Sequence, residues 1–183
     1  MSSACLAGQT TKDDGPPHGV YRLMELYLFR HGIAEDAGPG LPDPKRALTD
    51  EGKRKVAEVV KAVRRAGVEP SLIVSSPYVR AVETAQIAAG GFGYQGDIIR
   101  TETLVPFGSP DNVWAELRDY REERAILLAG HEPLLSSLAA YLLASPALQV
   151  EMKKAAMVRI DVESLGAAPH GILRWIVTPK LCQ

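Results

Sequence analysis

Two of the four histidines in this sequence stand directly after short apolar segments, beside residues that bind anions or bend the backbone. The segments concerned are Arg30-His31-Gly32, Ser75-Ser76-Pro77-Tyr78-Val79-Arg80 and Gly130-His131-Glu132-Pro133. Arginine suits phosphate, because the planar guanidinium matches the oxygens of a tetrahedral dianion and keeps its charge. A neutral imidazole can attack phosphorus and carry the phosphoryl group, and a second histidine can stabilise the transition state. These residue types therefore indicate chemistry on a phosphate group.

The elements that would position these residues alternate between strand and helix. We predict strands over residues 25–29, 72–74, 98–101, 125–129, 158–162 and 172–177. The helices predicted between them cover residues 49–65, 79–89, 112–120 and 134–143. Near-continuous apolar strands that alternate with helices predict an α/β fold, a three-layer α/β/α sandwich with a central, mainly parallel sheet. The last two strands are spaced like an antiparallel pair.

The order of elements predicts where the polar residues meet. In such sheets, ligand sites gather beyond the carboxyl ends of the strands. We therefore expect Arg30, His31, Arg80 and His131 to converge at one edge of the sheet. A structural alternative for Arg80 is an ion pair with Glu83 on the following helical turn, although such a pair contributes only tenths of a kcal/mol.

Four motifs carry a resemblance to a known family. They are LFRHGIAE at residues 28–35, RALTDEG at 46–52, SSPYVRAVETA at 75–85 and GHEP at 130–133. On these motifs the sequence resembles the histidine phosphatase superfamily, which has the phosphoglycerate mutase-like fold, and within it the SixA-type phosphohistidine phosphatases. The resemblance implies that His31 is the nucleophile, that Arg30 and Arg80 hold phosphate, and that His131 completes the pocket.

Four further residues are candidate substrate contacts, three of them with a structural alternative. Gly32 would let the backbone approach the bound anion closely. Arg46 could line the mouth of the pocket or be a solvated arginine. Ser76 could contact the substrate, although shaping the turn that follows it is the other explanation. Glu132 could be a general acid or a favourable negative charge at a helix N-terminus.

The segment after the third predicted strand bears on the substrate. In the family that this sequence resembles, enzymes that hydrolyse phosphomonoesters use an acidic side chain as general acid. In one branch this acid is the glutamate of an L-x-E segment. The corresponding segment here is Leu104-Val105-Pro106, with proline in place of the glutamate. An alkoxide leaving group needs a proton in the transition state, whereas the imidazole of phosphohistidine can leave neutral. We therefore expect a phosphohistidine-containing protein as substrate and phosphate as product. Two alternatives stay open: a phosphomonoesterase acting on a small phosphorylated substrate with Glu132 as general acid, and a non-catalytic phospho-ligand binding module.

Composition limits the partners and the compartment. Lys and Arg total 21 and Asp and Glu total 22, a balance that argues against nucleic-acid binding through a general basic field. The longest uncharged stretch, residues 133–150, is interrupted by proline and serine and predicts a buried helix with a loop, not a membrane span. No carboxylate cluster accompanies the histidines, so we expect no metal and no cofactor. Cys5 and Cys182 lie at opposite ends of the chain, and without a secretory signal they indicate free thiols in the cytoplasm.

Residues 1–23 differ from the rest of the chain. They are rich in small and polar residues and lack apolar periodicity, so we expect a disordered tail. The alternative is a misassigned start codon, with Met24 as the initiator. In both cases the predicted histidine phosphatase domain covers residues 24–183.

Overall fold

The structure of the protein, a computed structural model, describes residues 23–38, 40–163 and 165–182. The prediction of a disordered tail falls almost wholly on residues 1–22, which lie outside this range. The strands are β1 Met24–Arg30, β2 Leu72–Ser75, β3 Ile99–Arg100, β4 Ala125–Gly130, β5 Met157–Val162 and β6 Gly171–Val177. The helices are α1 Asp50–Arg65, α2 Val79–Phe92, α3 Pro110–Leu117 and α4 Leu134–Leu142.

The six strands form one sheet in the order β3-β2-β4-β1-β5-β6. The first four of these are parallel to one another, and β5 runs antiparallel to both β1 and β6. The predicted α/β fold, a mainly parallel sheet with an antiparallel C-terminal pair, is thereby confirmed.

Helices cover both faces of the sheet, because each central strand sends alternate side chains to opposite sides. On one face, Tyr27 and Phe29 pack with the buried valines of α1 and with α2. On the other face, Leu26 and Leu28 pack with α3 and α4. The sheet is therefore buried on both sides, which accounts for strands that are apolar at nearly every position.

The start of α1 holds the loop that follows β1. The side chain of Thr49 caps the helix by accepting a hydrogen bond from the Gly52 amide at 3.0 Å, and the Thr49 amide donates to the Ile33 carbonyl at 2.9 Å. A Cβ atom on Gly52 would lie 2.0 Å from that same carbonyl oxygen, and one on Gly32 would lie 2.9 Å from the Gly52 oxygen. Two glycines thus allow the two backbones to touch, and this contact fixes the path of residues 31–34.

Two predicted boundaries differ in the structure. We expected α2 to end at Gly90-Gly91, yet the helix continues to Phe92 and ends at Gly93, whose φ of 74° is a left-handed cap. Glycine is tolerated inside a helix at a modest cost, and the positive φ of Gly93 is the feature that stops it. The helix predicted over 112–120 begins earlier, at Pro110, and continues after Leu117 as a 3₁₀ turn. Within the described residues, no helix has both the length and the apolarity needed to cross a bilayer.

The contact between Gly52 and Ile33 gives a stability prediction. Gly52→Ala forces a methyl group into the Ile33 backbone, so we expect the free energy of unfolding to fall by about 1–3 kcal/mol. The matched control is Gly90→Ala in α2, where a Cβ meets nothing within 4 Å. Alanine lowers the backbone entropy of the unfolded chain, so this variant should be more stable by about 0.5–1 kcal/mol. Urea unfolding of both variants measures the difference. Equal stability of the two variants would contradict the proposed close contact.

Candidate active site

Two histidine rings lie side by side where β1 and β4 end. The two strands are parallel and in register, with Arg30 opposite Gly130, and the His31 amide donates to the Gly130 carbonyl at 3.0 Å. The next residue on each strand is a histidine, and the ring centroids of His31 and His131 are 4.9 Å apart. Both side chains are buried, with exposed fractions of 7% and 1%.

A single hydrogen bond sets which ring nitrogen of His31 carries the proton. Its Nδ1 lies 2.7 Å from the backbone oxygen of Gly32, and a carbonyl oxygen can only accept, so Nδ1 carries the proton. The lone pair of the neutral ring is therefore on Nε2, which accepts from Arg80 Nε at 3.3 Å. Burial, helped by the charges of Arg80 and Arg30, lowers the pKa of His31 to about 4, although the Gly32 bond acts in the opposite direction. At neutral pH the ring is an uncharged base with its free nitrogen beside a guanidinium group.

His131 is held by the turn after β2. Its Nε2 lies 2.9 Å from the hydroxyl of Ser76, and that hydroxyl accepts from the Tyr78 amide at 3.3 Å. We assign the proton of that hydroxyl to a bond with Nε2, and in this tautomer the imidazole proton is on Nδ1. Burial, reinforced by His31 and Arg80, lowers the pKa of His131 to about 3. The Nδ1 atom is buried and has no partner within the described part of the chain, so it is an unused donor.

Arg80 is a buried cation in the first turn of α2, with 5% of its surface exposed. Its Nη1 donates to the backbone oxygen of Asp43 at 2.7 Å, and its Nη2 donates to the Asp43 carboxylate at 2.9 Å. The guanidinium carbon also lies 5.0 Å from the centre of the Tyr78 ring. The Arg80–Glu83 ion pair considered from the sequence is not formed, because Glu83 instead accepts from the Leu48 amide at 2.5 Å.

Arg30 approaches the site from the end of β1. Its Nη1 donates to the Met152 carbonyl at 2.5 Å, and its Nε is buried without a partner among the described residues. Burial lowers the pKa of the Arg30 guanidinium, and the negative charge of Glu132 opposes that effect. Glu132 accepts through Oε2 from the Ser136 hydroxyl, whereas its Oε1 is another buried atom that lacks a partner in the described ranges.

Arg46 contacts the site through Asp43 and forms no hydrogen bond with either histidine. It donates to the Asp43 carboxylate at 2.7 Å and to the Glu35 carbonyl at 2.6 Å, and its side chain is 20% exposed. Arg46 therefore fixes the acidic partner of Arg80. The hydrogen bonds from Arg80 and Arg46 outweigh partial burial and lower the pKa of Asp43.

Two residues of the site were not found from the sequence. Asp43 precedes Arg46 by three positions, a spacing that signals a local ion pair but gives no sign of the contact with Arg80. Thr84 lies inside the SSPYVRAVETA motif and is fully buried. Its hydroxyl donates to the Arg80 carbonyl at 2.7 Å and accepts from the Gly32 amide at 3.3 Å. Thr84 thus ties the loop after β1 to α2.

The arrangement can bind an anion and attack it. Two guanidinium groups provide permanent positive charge, His131 provides a donor at Nδ1, and His31 provides a lone pair at Nε2. Burial keeps both imidazoles neutral, so neither ring would need to lose a proton before acting as a nucleophile. Within the described residues, no three His, Cys, Asp or Glu side chains cluster as metal ligands.

Comparisons with known proteins identify a family model and a relative that match this chain. The family model of the histidine phosphatase superfamily, branch 1, matches residues 26–105. An uncharacterized protein of Picosynechococcus sp. is 32% identical over 163 residues, which cover 86% of this chain and 98% of that protein.

Two solved structures share the fold. The protein histidine phosphatase SixA, complexed with tungstate, superposes with a TM-score of 0.76 at 23% identity, over 87% of this chain and all of that one. A histidine-to-alanine mutant of phosphoserine phosphatase from Entamoeba histolytica, in complex with phosphoserine, gives a TM-score of 0.65 at 16% identity, over 86% and 98% of the two chains.

The low pKa values of the two histidines predict how stability depends on pH. In the unfolded chain both rings take up a proton near pH 6.5, whereas in the folded protein they do so only near pH 4 and pH 3. The unfolded state therefore binds more protons between these limits, and stability falls as the pH drops below about 6.5. Each histidine contributes a slope of up to about 1.4 kcal/mol per pH unit.

Urea unfolding of the wild type and of a His31→Gln, His131→Gln double variant measures this effect. Between pH 6.5 and pH 5 the wild type should lose stability relative to the double variant, and above pH 7 the two curves should run parallel. Parallel curves over the whole range would mean that the two rings titrate normally in the folded protein.

Proposed function

This chain belongs to the histidine phosphatase superfamily, and from that premise we propose that it hydrolyses phosphohistidine in proteins through a phosphorylated His31. His31 is the nucleophile, Arg30 and Arg80 bind the phosphoryl oxygens, and His131 donates to one of them. Gly32 holds the His31 ring through its carbonyl oxygen and lets the loop pack against α1, and Ser76 positions His131. The reaction is carried by these side chains without a metal ion.

The geometry of His31 is the observation that supports this reaction most strongly. The bond from Nδ1 to the Gly32 carbonyl holds the free Nε2 in contact with Arg80. In the first step, Nε2 forms a bond to phosphorus while the bond between phosphorus and the substrate nitrogen breaks. The substrate imidazole takes the electron pair and leaves neutral when its other nitrogen carries a proton. The guanidinium groups and the His131 donor stabilise the charge on the equatorial oxygens.

In the second step, water attacks the phosphorus of phospho-His31. The bond to Nε2 breaks, its electron pair returns to the ring, and inorganic phosphate leaves with the oxygen of water. Throughout both steps Nδ1–H can stay bonded to the Gly32 carbonyl, so the ring does not need to reorient between them.

The preference for a nitrogen leaving group is supported by the loop after β3. That loop turns tightly, with a 3.0 Å hydrogen bond from the Gly108 amide to the Val105 carbonyl, and Pro106 and Phe107 form its tip. Residues 105–108, which form this turn, include no carboxylate that could protonate an alkoxide. A leaving imidazole needs such a proton far less, so this site should favour phosphorus–nitrogen bonds.

Glu132 supports a second candidate function. Its Oε1 is buried without a partner within the described part of the chain and lies near Arg30. If that oxygen carried a proton toward the substrate, the protein would be a phosphomonoesterase for small phosphorylated compounds. The alternative role of Glu132 is to balance the charge of Arg30.

The similar proteins support both candidates. The structure with the TM-score of 0.76 is named a protein histidine phosphatase, whereas another is a phosphoserine phosphatase. A silent binding module is less well supported, because His31, Arg80 and His131 are present in one buried cluster and a half-buried Arg30 precedes His31 in the chain. The cytoplasmic location expected from the sequence stays a prediction.

A substrate panel separates the two enzyme candidates. We expect turnover of phosphohistidine to exceed that of alkyl phosphates by orders of magnitude, and aryl phosphates to fall between them. Glu132→Gln should change phosphohistidine turnover by less than about tenfold, since a true general acid contributes roughly 100- to 10,000-fold. His31→Ala is the inactive control, and Glu122→Gln, an exposed carboxylate ahead of β4, is the matched control.

The opposite pattern would overturn the phosphohistidine proposal. If the wild type hydrolyses alkyl phosphates efficiently and Glu132→Gln abolishes only that activity, Glu132 is the proton donor and the protein is a phosphomonoesterase.

A further inference from the structure

A basic cleft opens beside the loop that carries His31. It has a volume of about 610 Å³ and is lined by Ile33, by Thr178 and Pro179, and by four lysines together with Glu151. The lysines are Lys55 of α1, Lys153 and Lys154 of the segment before β5, and Lys180 of the 3₁₀ turn after β6. We call this feature the lysine cleft. The cleft is wide open to solvent, so an extended chain segment could lie along it.

The lysine cleft is joined to the catalytic loop by backbone hydrogen bonds. The Ala155 amide donates to the His31 carbonyl at 3.0 Å, and the Arg30 amide donates to the Ala156 carbonyl at 3.0 Å. Lys153 and Lys154 begin the turn that these bonds hold, which is closed by a 2.8 Å bond from the Ala156 amide to the Lys153 carbonyl. Both lysines are exposed. They are therefore fixed at a short distance from the phosphoryl pocket by the backbone itself.

The same turn contains a strained residue. Ala155 is fully buried and has a φ of 59°, a left-handed conformation that is costly for a residue with a side chain. Strain of this kind persists only where the surrounding structure enforces it. Here it allows the chain to present two successive lysines beside Arg30 and His31.

Two of the four lysines have no acidic partner. Lys55 pairs with Glu51 at 2.6 Å, and Lys153 pairs with Glu151. Within the described ranges, Lys154 and Lys180 have no carboxylate within 4.0 Å and are exposed. The chain as a whole has a formal net charge of −1, so this positive charge is local to the cleft.

Charge and position together identify what the cleft would bind. The phosphoryl group itself is accounted for by Arg30, Arg80 and His131, so the lysines are available to a different part of the same substrate. Exposed lysines are flexible, strongly hydrated point charges, so Lys154 and Lys180 can each reach a separate carboxylate of an extended acidic segment. Opposite charge at the rim of a site steers association and fixes orientation.

We propose that the lysine cleft is a docking site for an acidic segment next to the phosphohistidine of a protein substrate. This inference rests on the proposed function and adds a substrate class to it, namely phosphoproteins with glutamate or aspartate close to the modified histidine. Lys154 and Lys180 bind those carboxylates while the phosphoryl group occupies the pocket at His31.

Matched synthetic peptides test the proposal. One carries phosphohistidine flanked by glutamates, the other carries phosphohistidine flanked by glutamines of nearly equal shape, and free phosphohistidine is the third probe. We expect the ratio of kcat/KM for the glutamate peptide to that for the glutamine peptide to be roughly tenfold at low salt and to fall as salt is added. A Lys154→Gln, Lys180→Gln double variant should bring this ratio close to one. Lys61→Gln, an exposed lysine of α1 outside the cleft, should leave it unchanged.

Failure of the docking proposal and failure of the proposed function give different results. A wild-type ratio near one, or a ratio that the double variant does not change, overturns the docking proposal and leaves phosphohistidine hydrolysis standing. If none of the three probes is hydrolysed, the proposed function fails. Docking is then tested separately by NMR with unphosphorylated peptides. The glutamate peptide should shift the amide signals of Lys154 and Lys180, and the glutamine peptide should not. Equal shifts with both peptides, or no shifts, overturn the lysine cleft as a docking site for acidic segments.

Discussion

The hydrogen bond between His31 Nδ1 and the Gly32 carbonyl is the constraint on which the site depends. It is a bond between neighbouring residues, so it survives only if the backbone after β1 keeps one particular path. On one side, α1 holds this path, because Gly52 allows the Ile33 backbone to contact the helix. On the other side, the Ala155 amide donates a hydrogen bond to the His31 carbonyl. The register of β1 against β4 then places His131 beside the ring of His31.

Burial lowers the pKa values of the two histidines and of Arg30 alike in this site, but it changes the charge of the histidines only. It lowers the pKa values of His31 and His131 to about 4 and about 3, which makes both rings neutral at physiological pH. Arginine keeps its charge even when buried, because its pKa starts so high. One site therefore contains two uncharged imidazoles and permanent cations, which is the combination that the proposed attack by His31 requires. A lysine in place of Arg80 would shift its pKa more readily on burial and could not provide the same planar fork.

The fold and the histidine pair could be predicted because both follow from local patterns. Apolar strands such as β4 are distinctive in sequence, and the carboxyl-end rule places His31 and His131 together without any knowledge of side-chain contacts. Asp43 could not be predicted as the partner of Arg80, since it lies 37 residues away in the chain on a polar loop without periodicity. The same holds for the lysine cleft, whose walls come from α1, the segment before β5 and the segment after β6. Long-range side-chain geometry is set by packing, which a sequence pattern does not encode.

The central claim is that His31 attacks through Nε2 while Nδ1–H stays on the Gly32 carbonyl. The most direct measurement is NMR of the trapped phosphoenzyme, prepared with ¹⁵N-labelled histidine, with ³¹P–¹⁵N coupling used to find the phosphorylated nitrogen. The account predicts one phosphoryl group, bonded to Nε2 of His31, with Nδ1 still protonated. A phosphoryl group on Nδ1 of His31, or on His131, would contradict it.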